Sequence, residues 1–439
     1  MPLSKKIRFF LHLALAFGQK EKKTILLGII LGIASFLLLP RLFQALVIKP
    51  GQRIAIVGRF TGADLPLEVQ NLISDGLTAI DERGNPTPKL ASFWETGDDG
   101  REYIFTLKDD LFWQDGKPLK ASDINLNFSD VATTALDNQR IKFLLKEPFS
   151  PFLVLVSRPI FKNGLLGTGK DKVGAVKKNG QIIERIDLKP NLSYRFYPTE
   201  AAARTAFMLG EVDEIRELTI LGELANWRDT KIAPVIKQNR FVAVFFDTQN
   251  NKFADKSVRQ ALAYGLKDHW TPAALNSINP ASWAYNHDVK PYQYNLANAQ
   301  KLLKKAAESG PALTTIELAT IPSLISVAEQ IKADWQELGL ETKIKIINNL
   351  DEGFEALLVA QEVPPDPDQY YLWHPTQTTN ISRLKSPKID NLLEEGRKTL
   401  DQEKRLVIYK DFQKALVEES PAIFLYHPTV YNIFRARKS

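Results

Sequence analysis

Between Thr314 and Ile347 the chain reads strand, helix, strand, and this stretch narrows the possible fold more than any other. "TTIELAT" is strand-like. Ala328, Ile331, Trp335 and Leu338 then recur at three- and four-residue spacing on one helical face, Gly339 can end that helix, and "ETKIKII" alternates with period two. Two strands joined by a helix in this way pair in parallel through a right-handed crossover, so the class is α/β.

The rest of the chain repeats the theme. "REYIFTLK" (101–108) alternates, and "FVAVFFD" (241–247) is a nearly continuous apolar run of the kind a strand buried on both faces shows. Helices are expected over Leu296–Glu308, Ile389–Thr399 and Gln402–Glu418, and turns at "DERGNP", "GDDGRE" and "QDGKP", each built from Asp or Asn with Gly. A chain of 439 residues exceeds what one hydrophobic core organises, so two or three domains are expected. No tandem repeat or long low-complexity linker is present.

The formal charge of +6 resides in the first fifty residues, which carry eight Lys and Arg against one Glu. The remainder holds 49 basic and 50 acidic residues, so the folded part lacks the basic surface that nucleic-acid binding requires. Within the same fifty residues, Thr24–Val47 is long enough to cross roughly 30 Å of hydrocarbon if Arg41 reaches the headgroups. The basic flank "KKIRFFLHLALAFGQKEKK" then keeps the N-terminus cytoplasmic, with "RFFLHLALAF" able to lie along the membrane surface. The alternative is a cleaved signal peptide, against which the n-region is long and no small-x-small site closes the apolar run.

Enzyme and metal motifs are missing. His12, His269, His287, His374 and His427 are scattered without metal spacing, no nucleophile-elbow or phosphate-loop pattern occurs, and cysteine is absent. No cofactor is expected. A hydrolase stands only as a third reading, because catalytic triads assemble in space rather than in sequence. Trp94, Trp113, Trp283, Tyr285, Tyr370, Tyr371 and Trp373 fall in or beside Pro/Gly/Asx-rich stretches, where aromatics either line a ligand cleft or plug local packing.

Read in order, six segments resemble the extracellular solute-binding proteins of family 5, the peptide- and nickel-type substrate-binding subunits of ABC importers. They are the long stretch Leu72–Ile124, containing "LASFW" and "WQDGKPLKASD"; "LKEPFSPFL" with the "GTG" that follows; "YPTEAAARTAFMLGEVDEI"; "FFDTQNNKFADKSVRQALAYGLKD"; "INPASWAYNHDVKPYQYNLANAQKLLKKA"; and "PPDPDQYYL". The resemblance runs from about residue 52 to the C-terminus.

It implies a periplasmic-binding-protein-like α/β fold, two lobes with mixed sheets and a hinge, to which the apolar run Thr24–Val47 adds one N-terminal transmembrane helix as a departure from the family. The expected organisation is a cytoplasmic segment over 1–23, an anchor over 24–47, lobe I with a trimmed subdomain over 48–240, lobe II over 241–425, and a C-terminal segment over 426–439 that returns to lobe I. The resemblance implies no chemistry on the ligand. It implies instead a binding protein that closes on a peptide or other small solute and hands it to an ABC permease, and the N-terminal span makes the expected protein single-pass with its main domain extracytoplasmic. A degenerate member acting through protein contacts or sensing is the competing reading.

Ligand contacts are expected from Asp75 and Trp113 in the first signature, Phe246 and Asp247 at the end of the buried strand, Trp283 and Tyr285 in "SWAYN", and Glu362, Asp366, Tyr370 and Trp373 around "PPDPDQYYLW". Asp366 and Asp368 can equally cap the turn that follows them. Peptide-binding members place an amine-pairing aspartate and a pocket tryptophan where this chain has Val363 and Ala360, and Glu362 would leave the strand in the opposite direction from a residue at 363.

Overall fold

In a computed structural model the chain divides into Met1–Gln52 and Arg53–Ser439, and the structure describes residues 51–62, 64–349 and 352–436. The expected anchor over 24–47 lies outside these residues. No helix among the described residues is long and apolar enough to cross a membrane.

Lobe I is built on a seven-stranded mixed sheet of β1 (Gln52–Val57), β8 (Lys172–Asn179), β9 (Ile182–Lys189), β10 (Leu192–Tyr197), β11 (Glu214–Leu218), β12 (Thr230–Ile236) and β18 (Thr429–Arg435), in the order β12-β18-β11-β1-β10-β9-β8. Alternation along the strands gives the sheet two different faces. On one, Ile54, Ile186 and Tyr194 pack against Val69 and Ile73 of the helix Leu67–Ile73. On the other, Ala55 and Ile215 meet Ala203 and Phe207 of the helix Glu200–Met208, whose first turn is capped by Thr199 accepting from the Ala202 N–H.

A subdomain grows from this lobe. The hairpin of β2 (Thr78–Ile80) and β3 (Pro86–Pro88) turns at "DERGN", where Asp81 Oδ1 accepts the backbone N–H groups of Arg83 and Asn85 at 2.9 and 2.8 Å. Beside it, β4 (Ala91–Gly97), β5 (Glu102–Leu107), β6 (Val131–Ala135) and β7 (Arg140–Leu145) form an antiparallel sheet in the order β4-β5-β7-β6. Its core is aromatic, with the Phe105, Phe143 and Phe152 rings between 5.4 and 6.4 Å apart.

Lobe II contains β13 (Arg240–Phe246), β14 (Thr315–Thr320), β15 (Glu341–Ile346), β16 (Ala356–Glu362) and β17 (Ala422–Tyr426), ordered β15-β14-β16-β13-β17. The expected strand-helix-strand unit is present: β14 and β15 pair in parallel from Thr315↔Glu341 to Thr320↔Ile346, joined through the helix Ile325–Glu337. Ala328, Ile331 and Trp335 are buried, the Trp335 indole N–H donates to the Leu262 carbonyl at 3.0 Å, and Gly339 adopts φ +83° just beyond the helix. The apolar run of β13 is explained by its central place, with Val242, Val244 and Phe246 facing one core and Phe241, Ala243 and Phe245 the other. The expected C-terminal helices span Leu296–Ser309, Pro387–Lys398 and Gln402–Glu419.

Two short crossings join the lobes, one from β12 to β13 and one from β17 to β18. They are tied to each other by the Lys237 N–H donating to the Pro428 carbonyl at 2.9 Å. His427, 3% exposed, lies in the second crossing; its Nδ1–H donates to the Arg240 carbonyl at 2.8 Å, and its Nε2 has no hydrogen-bond partner among the described residues. Burial pushes the imidazole pKa below its ordinary value, against the pull of that carbonyl.

The unfolded chain therefore takes up a proton below about pH 6.5 that the folded crossing resists, so stability is full above that pH and declines as pH falls toward the lowered folded value. Thermal melts between pH 7.5 and 5 should show this decline, and His427→Gln should flatten part of it. Parallel pH profiles for the two proteins would remove His427 as the cause.

Candidate functional site

The segment Gln361–Pro375 enters from β16, which pairs antiparallel with β13 so that Arg240 faces Glu362 and Val242 faces Ala360. Leu357, Val359 and Val363 point into one lobe II core, and the Val363 N–H donates to Asn239 in the crossing at 2.9 Å. Glu362 leaves by the opposite face, 65% exposed, and its carboxylate pairs with the Arg240 guanidinium.

Pro364 and Pro365 end the strand, and two Asx turns follow. Asp366 Oδ1 accepts the Asp368 N–H at 2.8 Å, and Asp368 Oδ1 accepts the Tyr370 N–H at 3.1 Å, opening the short helix Tyr370–Trp373. Both carboxylates are also claimed by arginines. Arg405 forks onto Asp366 through Nη2 at 2.8 Å and Nη1 at 3.3 Å, with both side chains 7% exposed, and Arg397 Nη2 meets Asp368 Oδ2 at 2.8 Å. Burial pushes the Asp368 carboxyl up against the lowering influence of Arg397. Arg405 Nε also donates to the Gly396 carbonyl at 2.9 Å, and its guanidinium lies 5.4 Å from the Trp283 ring.

Arg397 also reaches across to the subdomain. Its guanidinium carbon sits 3.9 Å from the centre of the Tyr370 ring and 5.1 Å from that of Phe149, so the cation lies between aromatics of the two lobes. Its carbonyl accepts from Ser150 twice, from the backbone N–H at 2.8 Å and Oγ at 3.0 Å. Glu147 pairs with Lys398 at 3.2 Å, Gln402 donates to Asn85 at 2.8 Å, and the Trp283 N–H donates to the Arg83 carbonyl at 3.0 Å. The hairpin turn reaches lobe II only because residue 84 is glycine: at φ +87°, a Cβ there would stand 2.4 Å from the Pro365 carbonyl oxygen.

Of the residues expected to contact ligand, the fold brings Trp283, Asp366 and Tyr370 together around Arg397 and Arg405. The others are dispersed. Trp113 is buried in the subdomain, donating to Asp123 at 3.1 Å. Phe246 packs on Phe253 inside lobe II, and Trp373 stacks on Phe245. Asp247 pairs with Arg383 at 3.1 Å, Asp75 with Lys89 at 3.2 Å, and Tyr285 is buried beside His287. Arg397, Arg405, Phe149 and Arg83 were not foreseen. Arg405 had a legible sign: with Tyr409 and Phe412 it occupies the core-facing stripe of Gln402–Glu419, where a permanent cation demands a buried acid. Among the described residues no group of three or more His, Asp or Glu is placed to hold a metal ion.

The family model described as bacterial extracellular solute-binding proteins, family 5, middle region, matches residues 85–181 and 189–383. The dipeptide-binding protein of Escherichia coli strain K12 is 23% identical, over 79% of this chain and 82% of its own. Among solved structures, NikZ from Campylobacter jejuni in complex with Ni(L-His) superposes with a TM-score of 0.73 at 23% identity, covering 89% of this chain and 94% of that one. The oligopeptide-binding protein AppA from Bacillus subtilis in complex with a nonapeptide gives 0.68 at 20% identity, covering 88% and 95%.

Replacing Arg397 with Ala leaves Asp368 buried without its partner and removes the cation between Tyr370 and Phe149. The expected cost is about 3 kcal/mol of stability, together with a larger radius of gyration in small-angle X-ray scattering as the lobes part. An unchanged radius would show that Arg397 does not hold the lobes together.

Proposed function

Because the chain belongs to the bacterial extracellular solute-binding proteins of family 5, we propose that it serves an ABC-type importer as an extracytoplasmic binding subunit that closes its two lobes on a peptide. The observation that carries this reading is the architecture itself: two α/β lobes between which the described backbone passes at two adjacent points, the paired crossings at Lys237 and Pro428. Small rotations at two adjacent backbone crossings move whole lobes while both cores stay intact. A ligand favours the closed state by contacts it makes only there.

Peptides are the proposed class because relatives over most of this chain's length are named for dipeptides and oligopeptides. An extended peptide also suits such a cleft, since main-chain hydrogen bonds supply affinity independently of sequence. Residues 24–47 are proposed as an uncleaved anchor with the N-terminus cytoplasmic, which raises the effective concentration of the binding lobes at a neighbouring permease. No chemistry on the ligand is proposed.

The ten residues named from the sequence are not equal in this reading. Asp366 is buried and engaged by Arg405, whereas Glu362, paired with Arg240 at the surface, is the one of the four acids that is mostly exposed. Glu362 is therefore the proposed contact for a peptide's amine. A second reading, a member that has given up small ligands for protein contacts, is favoured by Val363, whose apolar side chain is packed into the lobe II core.

Thermal melts of the full chain with a pool of di-, tri- and oligopeptides separate the two readings. Stabilisation of about 2.7 kcal/mol is expected at a hundredfold excess over Kd, and no shift with peptides, nickel or sugars would favour the second. Glu362→Ala should weaken peptide binding about tenfold, the ~1.4 kcal/mol equivalent; an unchanged Kd would remove its assigned role.

A further inference from the structure

The helix Glu200–Met208 covers one face of the lobe I sheet at β1 and β11. On β10, β9 and β8 the same face carries charge instead of apolar side chains. The register sets Arg195 directly opposite Arg185, and Arg185 directly opposite Lys177, so three cations stand side by side across three strands. With Arg59, at the exit of β1, they line a cavity of about 640 Å³ whose less polar wall includes Ile182, Tyr197 and Pro198.

Like charges in direct cross-strand register oppose pairing, and an arginine cannot relieve the repulsion by losing its proton. The nearby acids compensate incompletely. Glu184 is held by Lys177 at 2.8 Å; Glu211 accepts from the Tyr197 hydroxyl at 3.3 Å and lies 3.8 Å from Arg195; Asp187 lies 3.2 Å from Arg185 Nε without hydrogen-bond geometry. The Nε–H groups of Arg185 and Arg195 are both shut away from solvent with no acceptor among the described residues. Buried donors are ordinarily satisfied, as Arg259 illustrates by donating to the carbonyls of Phe253, Ala254, Glu419 and Ser420.

From these features we infer a second ligand site on lobe I, for a small organic anion: a phosphate monoester or carboxylate attached to an apolar group. The paired guanidiniums present fork-shaped donors to the oxyanion, and the wall of Ile182, Tyr197 and Pro198 receives the apolar part. None of the lining residues takes part in the lobe-to-lobe contacts of Arg397, Trp283 or Gln402, so the site stands whether or not the cleft binds peptide. A soluble ester and a phospholipid headgroup share this chemistry.

The test uses the full chain in phosphatidylcholine nanodiscs, in buffer free of phosphate, titrated calorimetrically with hexyl phosphate. Saturable binding is expected, at least tenfold weaker in the Arg185→Gln/Arg195→Gln double variant, with none for hexanol. The double variant should melt no lower than wild type, since it relieves like-charge repulsion. Repeating the titration in discs containing phosphatidylglycerol assigns the source: weakened apparent affinity marks the lipid headgroup as occupant, and unchanged affinity marks a soluble anion. No saturable binding in the wild type, or equal affinity in the double variant, would overturn the proposal.

Discussion

A guanidinium that cannot shed its proton is fixed in the interior of lobe II, and much of the molecule is arranged around that fact. Arg405 is acceptable there only because Asp366 meets it in a two-pronged ion pair while Gly396 and Tyr409 supply further acceptors. Those partners come from three separate places: the loop after β16, the end of Pro387–Lys398, and the helix carrying Arg405 itself. Removing one partner of such a pair strands the other and costs about 3–5 kcal/mol, so the three elements are held as one body. Trp283 lies over the same cation and brings the 282–287 loop into the assembly.

This arrangement changes the meaning of the acidic segment. From composition, Asp366 and Asp368 look like groups waiting for a cationic ligand. In the fold, both carboxylates are neutralised internally, and each also shapes an Asx turn. Aromatics that read as cleft linings are divided similarly: Trp113 and Trp373 fill cores, whereas Tyr370 and Trp283 stand against arginines near the subdomain.

The sequence was most informative where a single periodicity decides the outcome. The β14-helix-β15 unit and the two-sided burial of β13 followed from spacing alone, because apolar side chains at those intervals have only one surface they can bury. Turn chemistry was equally legible at Asp81–Asn85, where the side chain caps its own loop. The lobe contacts were not legible: the pairing of Phe149 with Arg397 spans nearly 250 positions and has no local signature. The basic row on β8, β9 and β10 was hidden for another reason. The bases of the region are scattered along three separate strands, and only the strand register brings Lys177, Arg185 and Arg195 side by side.

The last strand has a consequence for how the molecule is made. β18 lies inside the lobe I sheet, between β12 and β11, although the whole of lobe II separates it from either in the chain. Lobe II is contiguous and can assemble as soon as β17 is synthesised, while lobe I keeps an open slot with unpaired strand edges until the seven residues of β18 arrive. Deleting β18 would thus disrupt the lobe that was synthesised first. The lobe begun first is finished only after the lobe begun second.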